Sequence, residues 1–332
     1  MASSSPSAGG FDYIIIGGGT AGLVVAARLT ENPDVSVCVL EAGKDQSTNV
    51  DAMIPGFAMK NLGNPEVDWM FQTSPQPHLN DRRIVVNRGK GLGGSSMLNI
   101  MEVSRGHAGE YDAFEALGSP GWNWKSLLYY FKKSETLSAT PEELSKIDIR
   151  PLADAHGSSG PLQISVPKWI SETNTPFRST LESFGIKHNP DGTSGNNVGI
   201  MGAYQTIHPT EVVRSSSATA YYLPNKDRSN LHVITGAHVK RVLFQALKVR
   251  GKLVASGAEY SKDGHTLAVS AKKEVIICGG SFQTPQILEL SGIGSKKILD
   301  THWIPVLYDL PGVGQNLQVF NPRLSHTFFL AD

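Results

Sequence analysis

Residues 11–43 read FDYIIIGGGTAGLVVAARLTENPDVSVCVLEAG. An apolar run of β type (Phe11, Tyr13, Ile14, Ile15, Ile16) stops at Gly17, Gly19 and Gly22 in G-x-G-x-x-G spacing, and apolar residues then recur at helical intervals. A second apolar run, residues 36–40, ends at Glu41, about twenty residues past the glycines, where a carboxylate can accept hydrogen bonds from ribose hydroxyls. The pattern predicts a βαβ unit with an anion site at the N-terminus of its helix. Gly17 permits the tight turn out of the strand, Gly19 lets a pyrophosphate approach the backbone, and Gly22 lets the helix pack against the strands. Taken alone, the unit fits NAD and FAD alike.

The 332 residues are enough for two domains, or for one domain interrupted by another. Thirty basic residues balance thirty acidic ones, so no global field draws the chain to nucleic acid or to an anionic membrane surface, and a small-molecule substrate is expected. The two cysteines, Cys38 and Cys278, fall in apolar runs that read as buried strands, which argues for unpaired thiols and against a disulfide framework or a metal site. The first ten residues, MASSSPSAGG, lack the cationic and apolar regions of an export signal, and no run reaches membrane-spanning length. A cytoplasmic protein is the default expectation, and no motif specifies an oligomeric state.

Along the chain, residues 1–10 read as a flexible tail. Residues 44–79 are irregular but hold an aromatic island, Asp68-Trp69-Met70-Phe71, and a strand-like stretch at 83–87 leads to RGKGLGGSSMLN at 88–99. Residues 110–135 predict two short amphipathic helices around a Gly-Ser-Pro-Gly break. Residues 136–230, poorer in long apolar runs, form the expected inserted segment of a second domain. Strand character returns in LHVIT, VKRVLF, VASGAEY and EVIIC between residues 231 and 278. The expected division is therefore a nucleotide-binding domain at 11–135 and 231–318, the insertion at 136–230, and the start of a further segment at 319–332.

The second glycine-rich segment, residues 89–99, has two readings: a loop packed on a sheet, or a backbone nest lying against a flat or phosphate-bearing cofactor with Asn99 at a ring edge. A third, GSFQTPQILELSGIG at 280–294, follows a strand and predicts a helix over 284–290, capped by Thr284, begun at Pro285 and stopped by Ser291-Gly292. Three such sites suit a long cofactor lying across the whole domain.

The set IIIGGGTAG with Glu41, GKGLGGSSMLN, the RGH after it, GSPGWNW, HGSSGPL, VRSSSATAYYL, KKEVIICGGSFQTPQILELSGIG and DLPGVGQNLQ covers nearly all of residues 11–318. In content and order it resembles the glucose-methanol-choline (GMC) oxidoreductases, most of all their aryl-alcohol oxidase and choline dehydrogenase-like branch. The resemblance implies an α/β fold, a Rossmann-like FAD-binding domain with an inserted, incomplete α+β substrate domain. It implies oxidation of primary, including aromatic, alcohols by hydride transfer to flavin, with oxygen or another electron acceptor taking the electrons.

By the same resemblance Gly17, Gly19, Thr20, Ala21 and Gly22 would hold the FAD pyrophosphate, Glu41 the ribose, and the Val239 backbone the adenine. Trp69 would lie beside the cofactor, and Ser95, Asn99, Ile100, Met101 and Glu102 would line the flavin side. Asn99 stands where some members carry a histidine bonded to FAD, so noncovalent FAD is expected. Val103, Glu102 and Val319-Phe320 depart from the family pattern. The family's catalytic histidine pair is expected beyond Asp332, which leaves the catalytic residue unassigned and an alternative open: a fragment or splice product that binds FAD without turnover. Of the histidines present, His107 reads as structural, the VRSSSATAYYL segment as packing, and His156 and His208 as turn residues without an acid partner.

Overall fold

The computed structural model describes residues 10–246 and 251–317. The expected tail, apart from Gly10, and the segment at 319–332 with Val319-Phe320 lie outside the described residues. The fold is α/β, organised on a six-stranded sheet whose strands are β1 (Phe11–Ile16), β2 (Val37–Glu41), β3 (Leu231–Thr235), β4 (His238–Phe244), β5 (Ala255–Lys262) and β6 (His265–Ile277), in the order β4-β5-β6-β1-β2-β3. Four helices matter here: α1 (Thr20–Leu29), α2 (Ala108–Ala116), α3 (Trp124–Ser134) and α4 (Gly280–Leu290).

β6 joins two kinds of pairing. Its first half runs antiparallel to β5, from Lys262↔His265 to Gly257↔Ser270, and its second half runs parallel to β1, from Tyr13↔Glu274 to Ile16↔Ile277. β1, β2, β3 and the end of β6 thus form a parallel sheet in Rossmann order, with β1 flanked by the first and last of its three partners. Covered on both faces, such strands must be largely apolar, and β1 and β2 are, apart from Asp12 and the terminal Glu41. Ile14, Ile16, Cys38 and Leu40 face the β4–β5 meander and α4, packing with Val239, Val242, Tyr260, Val269 and Ile287. Ile15, Val37 and Val39 face Ala26 of α1 on the other side. Each such side chain contributes about 1.5–3 kcal/mol by burial, so a charge at Ile15 would break the layer.

Residues 102–207 carry a separate small core of Ile147, Ile149, Ile164, Val166 and Tyr204. Two short strand pairs support it, Glu102–Val103 with Tyr204–Gln205 and Glu135–Leu137 with Leu162–Ile164. The two expected amphipathic helices are α2 and α3, and His107 caps α2 by accepting from the Gly109 N–H. Among the described residues no helix is long and apolar enough to cross a membrane.

Two expectations change. α4 starts at Gly280, not Thr284, because Gly280 at φ +85° turns the chain into the helix early; Thr284 does not cap it and Pro285 lies inside it. Cys38 is buried in β2, but Cys278 lies just past β6 and is partly exposed, and both thiols are free.

Candidate functional site

The C-terminal ends of β1, β2 and β6 open into a cleft of ≈ 830 Å³, within the range of about 300–1,000 Å³ usual for ligand sites. This is where open parallel sheets bind ligands, beside the point where strand order reverses. α1 begins there after Gly19 with no side-chain cap and no acid in its first turn, so its leading N–H groups and the positive end of its dipole face the cleft.

The first and second glycine segments meet face to face across this helix end. Gly93 N–H donates to the Gly18 carbonyl at 2.8 Å, and a Cβ placed on Gly94 would stand 2.7 Å from the Gly19 Cα. Gly17, at φ +101°, is hemmed by the Cys278 carbonyl, 2.4 Å from any Cβ. Gly22 does not line the cleft; it packs behind, where a Cβ would lie 1.9 Å from the Gly17 carbonyl oxygen.

Glu41 is buried at the end of β2. Its Oε2 accepts the Gly18 N–H at 2.8 Å, and its Oε1 accepts those of Gly43 at 2.8 Å and Gly91 at 3.1 Å. Burial pushes its pKa up and these amides oppose the rise. The carboxylate staples three loops and retains a lone pair on Oε2 for one further donor.

Trp69 is set by Asp68, which accepts from the Met70, Gly63 and Arg88 backbone and from the Asn87 amide. Trp69 stacks on Phe71 at 5.8 Å and meets the His238 ring edge at 5.6 Å, while Phe71 touches Phe282 at 5.7 Å, so an aromatic strip crosses the cleft. His238 is held below its ordinary pKa by burial and by Lys90 and Lys240.

Of the residues singled out in the sequence, Gly17, Gly19, Thr20, Ala21, Glu41, Trp69, Ser95 and Val239 line this one cleft. Asn99, Ile100, Met101 and Glu102 do not. Met101, at φ +65°, turns its side chain into a cluster with Ala58 and Ile207, while Ile100 and Glu102 are exposed.

Residues 11–321 match the family model described as GMC oxidoreductase. The chain belongs to the GMC oxidoreductase family. It is 40% identical over 315 residues to the GMC oxidoreductase family protein Mala s 12 of Malassezia sympodialis, covering 93% of this chain and 51% of that one. It is 37% identical over 313 residues to an oxygen-dependent choline dehydrogenase of Pectobacterium atrosepticum, covering 93% and 52%. Among solved structures, an FAD-dependent oxidoreductase from Chaetomium thermophilum superposes with a TM-score of 0.86 at 34% identity, over 93% of this chain and 52% of that one. A fungal aryl-alcohol oxidase gives a TM-score of 0.82 at 31% identity, over 93% and 52%. The chain spans about half the length of these relatives.

FAD is the cofactor of the GMC family, and the cleft fits it on two counts: an uncapped helix end for the pyrophosphate, and facing glycines whose missing Cβ atoms leave the passage open. Sequence reasoning passed over Phe282 and His238 in the cleft wall and Arg214 and Ser217 behind the loops. Ser217 N–H donates to Ser96 Oγ at 3.1 Å, and the Ser217 hydroxyl lies 3.4 Å from the Gly19 carbonyl, so the VRSSSATAYYL segment braces both glycine loops as well as packing. His156 also departs from expectation: its ring nitrogens each lie 3.1 Å from a carboxylate, those of Glu135 and Asp191.

Proposed function

We propose that this GMC oxidoreductase holds FAD noncovalently in the cleft and oxidises the CH–OH group of a primary alcohol, aromatic alcohols included, passing electrons to oxygen or another acceptor. The observation that carries this reading is the convergence of the α1 N-terminus, the two facing glycine loops and Glu41 on a single cleft. Glu41 would take a ribose hydroxyl on its remaining lone pair, Gly19, Thr20 and Ala21 the pyrophosphate, and the edge strand β4 at Val239 the adenine. Ser95 and the loop that follows would face the flavin. Asn99 carries a carboxamide, which lacks the nucleophilic ring nitrogen needed for a covalent link. Bound FAD supplies the hydride acceptor, and a base must remove the hydroxyl proton.

Of the histidines among the described residues only His238 lines the cleft, at the Val239 end and away from the flavin-side loop. That observation favours a second reading, in which this 332-residue chain retains FAD without turning over alcohol. The purified chain is mixed with benzyl alcohol and ethanol without oxygen. Bleaching of bound flavin supports alcohol oxidation, bound flavin that never bleaches supports the second reading, and a folded chain that takes up no flavin overturns both.

A further inference from the structure

Arg214 is only 1% exposed, yet no carboxylate pairs with it among the described residues. Its Nε donates to the Ala52 carbonyl at 2.7 Å, and its Nη1 to the Ser96 carbonyl at 3.2 Å and to Asn99 Oδ1 at 2.7 Å. Its Nη2 is buried and finds no acceptor among the described residues. The contrast with Arg105 is direct, since that buried guanidinium lies 2.8 Å from Glu135. A buried cation without a counter-charge costs folding free energy, so its place in the fold calls for a reason.

The geometry around Asn99 supplies one. Asn99 Oδ1 accepts from Arg214 Nη1 and also from the Met101 N–H at 3.2 Å. Reversing the amide would set its NH₂ group against two donors, so the network assigns the orientation. The carbonyl end of Asn99 is therefore spent inward, and the NH₂ end of this exposed side chain is left to donate outward. Arg214 strengthens that donor by polarising the amide and adds an uncancelled positive charge behind residues 95–99.

We propose that Arg214 is a positioning residue that fixes Asn99 as a hydrogen-bond donor to the flavin and biases the cofactor toward its reduced state. The inference rests on the FAD reading above, with the flavin extending past Ser95, which lines the cleft, over the loop that carries Asn99 just outside it. Reduction leaves extra negative charge on the ring system, and a fixed donor backed by a buried cation favours that charge over the neutral oxidised ring. Burial draws the Arg214 pKa down, but only to about 10, so the guanidinium stays charged at neutral pH.

The test uses the full chain loaded with FAD: wild type, Asn99→Asp, Arg214→Lys and Arg214→Met. Redox equilibrium with a reference dye gives the midpoint potential, flavin fluorescence gives the FAD Kd, and melting gives stability. Asn99→Asp pairs with Arg214 and should fold at least as well as wild type. It loses the donor and cancels the charge, so its preference for reduced FAD should fall about tenfold, ~30 mV for a two-electron couple. Arg214→Lys keeps the charge and should stay nearer wild type than Arg214→Met; should the latter fail to fold, Asn99→Asp still decides. A flavin-loaded Asn99→Asp protein with the wild-type potential overturns this inference alone. Wild-type protein that binds no FAD overturns the functional reading and this inference together.

Discussion

His156 Nε2 and Asp191 Oδ2 stand 3.1 Å apart with both side chains almost wholly buried. Nδ1 of the same ring lies 3.1 Å from Glu135 Oε1, and Arg105 lies against the other oxygen of Glu135. Only a doubly protonated imidazole donates from both nitrogens. Burial disfavours that charge, but the hydrogen bonds to Asp191 and Glu135 override it and raise the His156 pKa. Burial likewise pushes both acids up, and their partners, His156 foremost, pull them below the usual carboxylate range.

The direction of each shift sets a pH dependence. The histidine's contribution to stability is complete below its unfolded pKa of about 6.5 and is lost as pH rises through the raised folded value. The carboxylates' contribution is present above their unfolded values of roughly 4 and is lost as pH falls through the depressed ones. The stability gap between wild type and His156→Gln should therefore be widest near about pH 6 and narrow as pH rises through the raised folded value, reaching about 3–5 kcal/mol at its widest, as when one partner of a buried pair is removed. Urea melts of the two proteins across this range check it, and a gap that widens with pH would count against the charged histidine.

Glu41 makes a different prediction because both its oxygens are engaged by backbone N–H groups. Glu41→Gln turns one acceptor into a donor that faces an amide N–H. Leaving that buried group unpaired costs about 1–3 kcal/mol. The variant should melt earlier than wild type and bind FAD more weakly. A variant with lower FAD affinity but unchanged melting would mean that the staple to Gly18, Gly43 and Gly91 contributes nothing.

What could be read in the sequence was what its local chemistry encodes. The continuous apolar runs of β1 and β2 and the glycines between them announced parallel strands and a phosphate turn, because burial on both faces and a Cβ-free approach leave their marks within a few residues. The cleft residues from Gly17 to Glu41 followed. His156 was misread because its partners are 21 and 35 residues away, one opening a three-residue strand and the other in an irregular segment, so no local pattern ties them to it. Arg214 was read as packing for the same reason, its contact with Asn99 spanning 115 residues. The start of α4 was misplaced because Thr284-Pro285 is a stronger local signal than a glycine whose left-handed φ appears only in three dimensions.

The two thiols should report on cofactor occupancy without any need for turnover. Cys38 is buried in β2 with its pKa pushed up to about 12 by burial, so it should stay inert to a maleimide in the folded protein. Cys278 lines the cleft and is partly exposed, so it should react, though slowly because burial raises its pKa as well. FAD should protect it. Mass spectrometry of labelled peptides with and without FAD distinguishes the sites, and labelling of Cys278 that ignores saturating FAD would place the cofactor elsewhere.

Gly19 and Gly22, three positions apart in one motif, should fail in opposite ways. At Gly22 a methyl group would lie 1.9 Å from the Gly17 carbonyl oxygen, a clash with backbone that only a shift of α1 away from β1 could relieve. Gly22→Ala should therefore lose stability by the 1–3 kcal/mol typical of overpacking, or by more. At Gly19, by contrast, φ is −83° and a Cβ would meet only the Gly94 Cα, at 3.7 Å, so alanine is tolerated by the fold. That methyl group would stand in the passage between the two glycine loops, where the proposed FAD site puts the pyrophosphate. Gly19→Ala should melt within about 1 kcal/mol of wild type yet bind FAD at least tenfold more weakly. Gly19→Ala with wild-type FAD affinity would move the pyrophosphate out of this passage, whatever happens at Gly22.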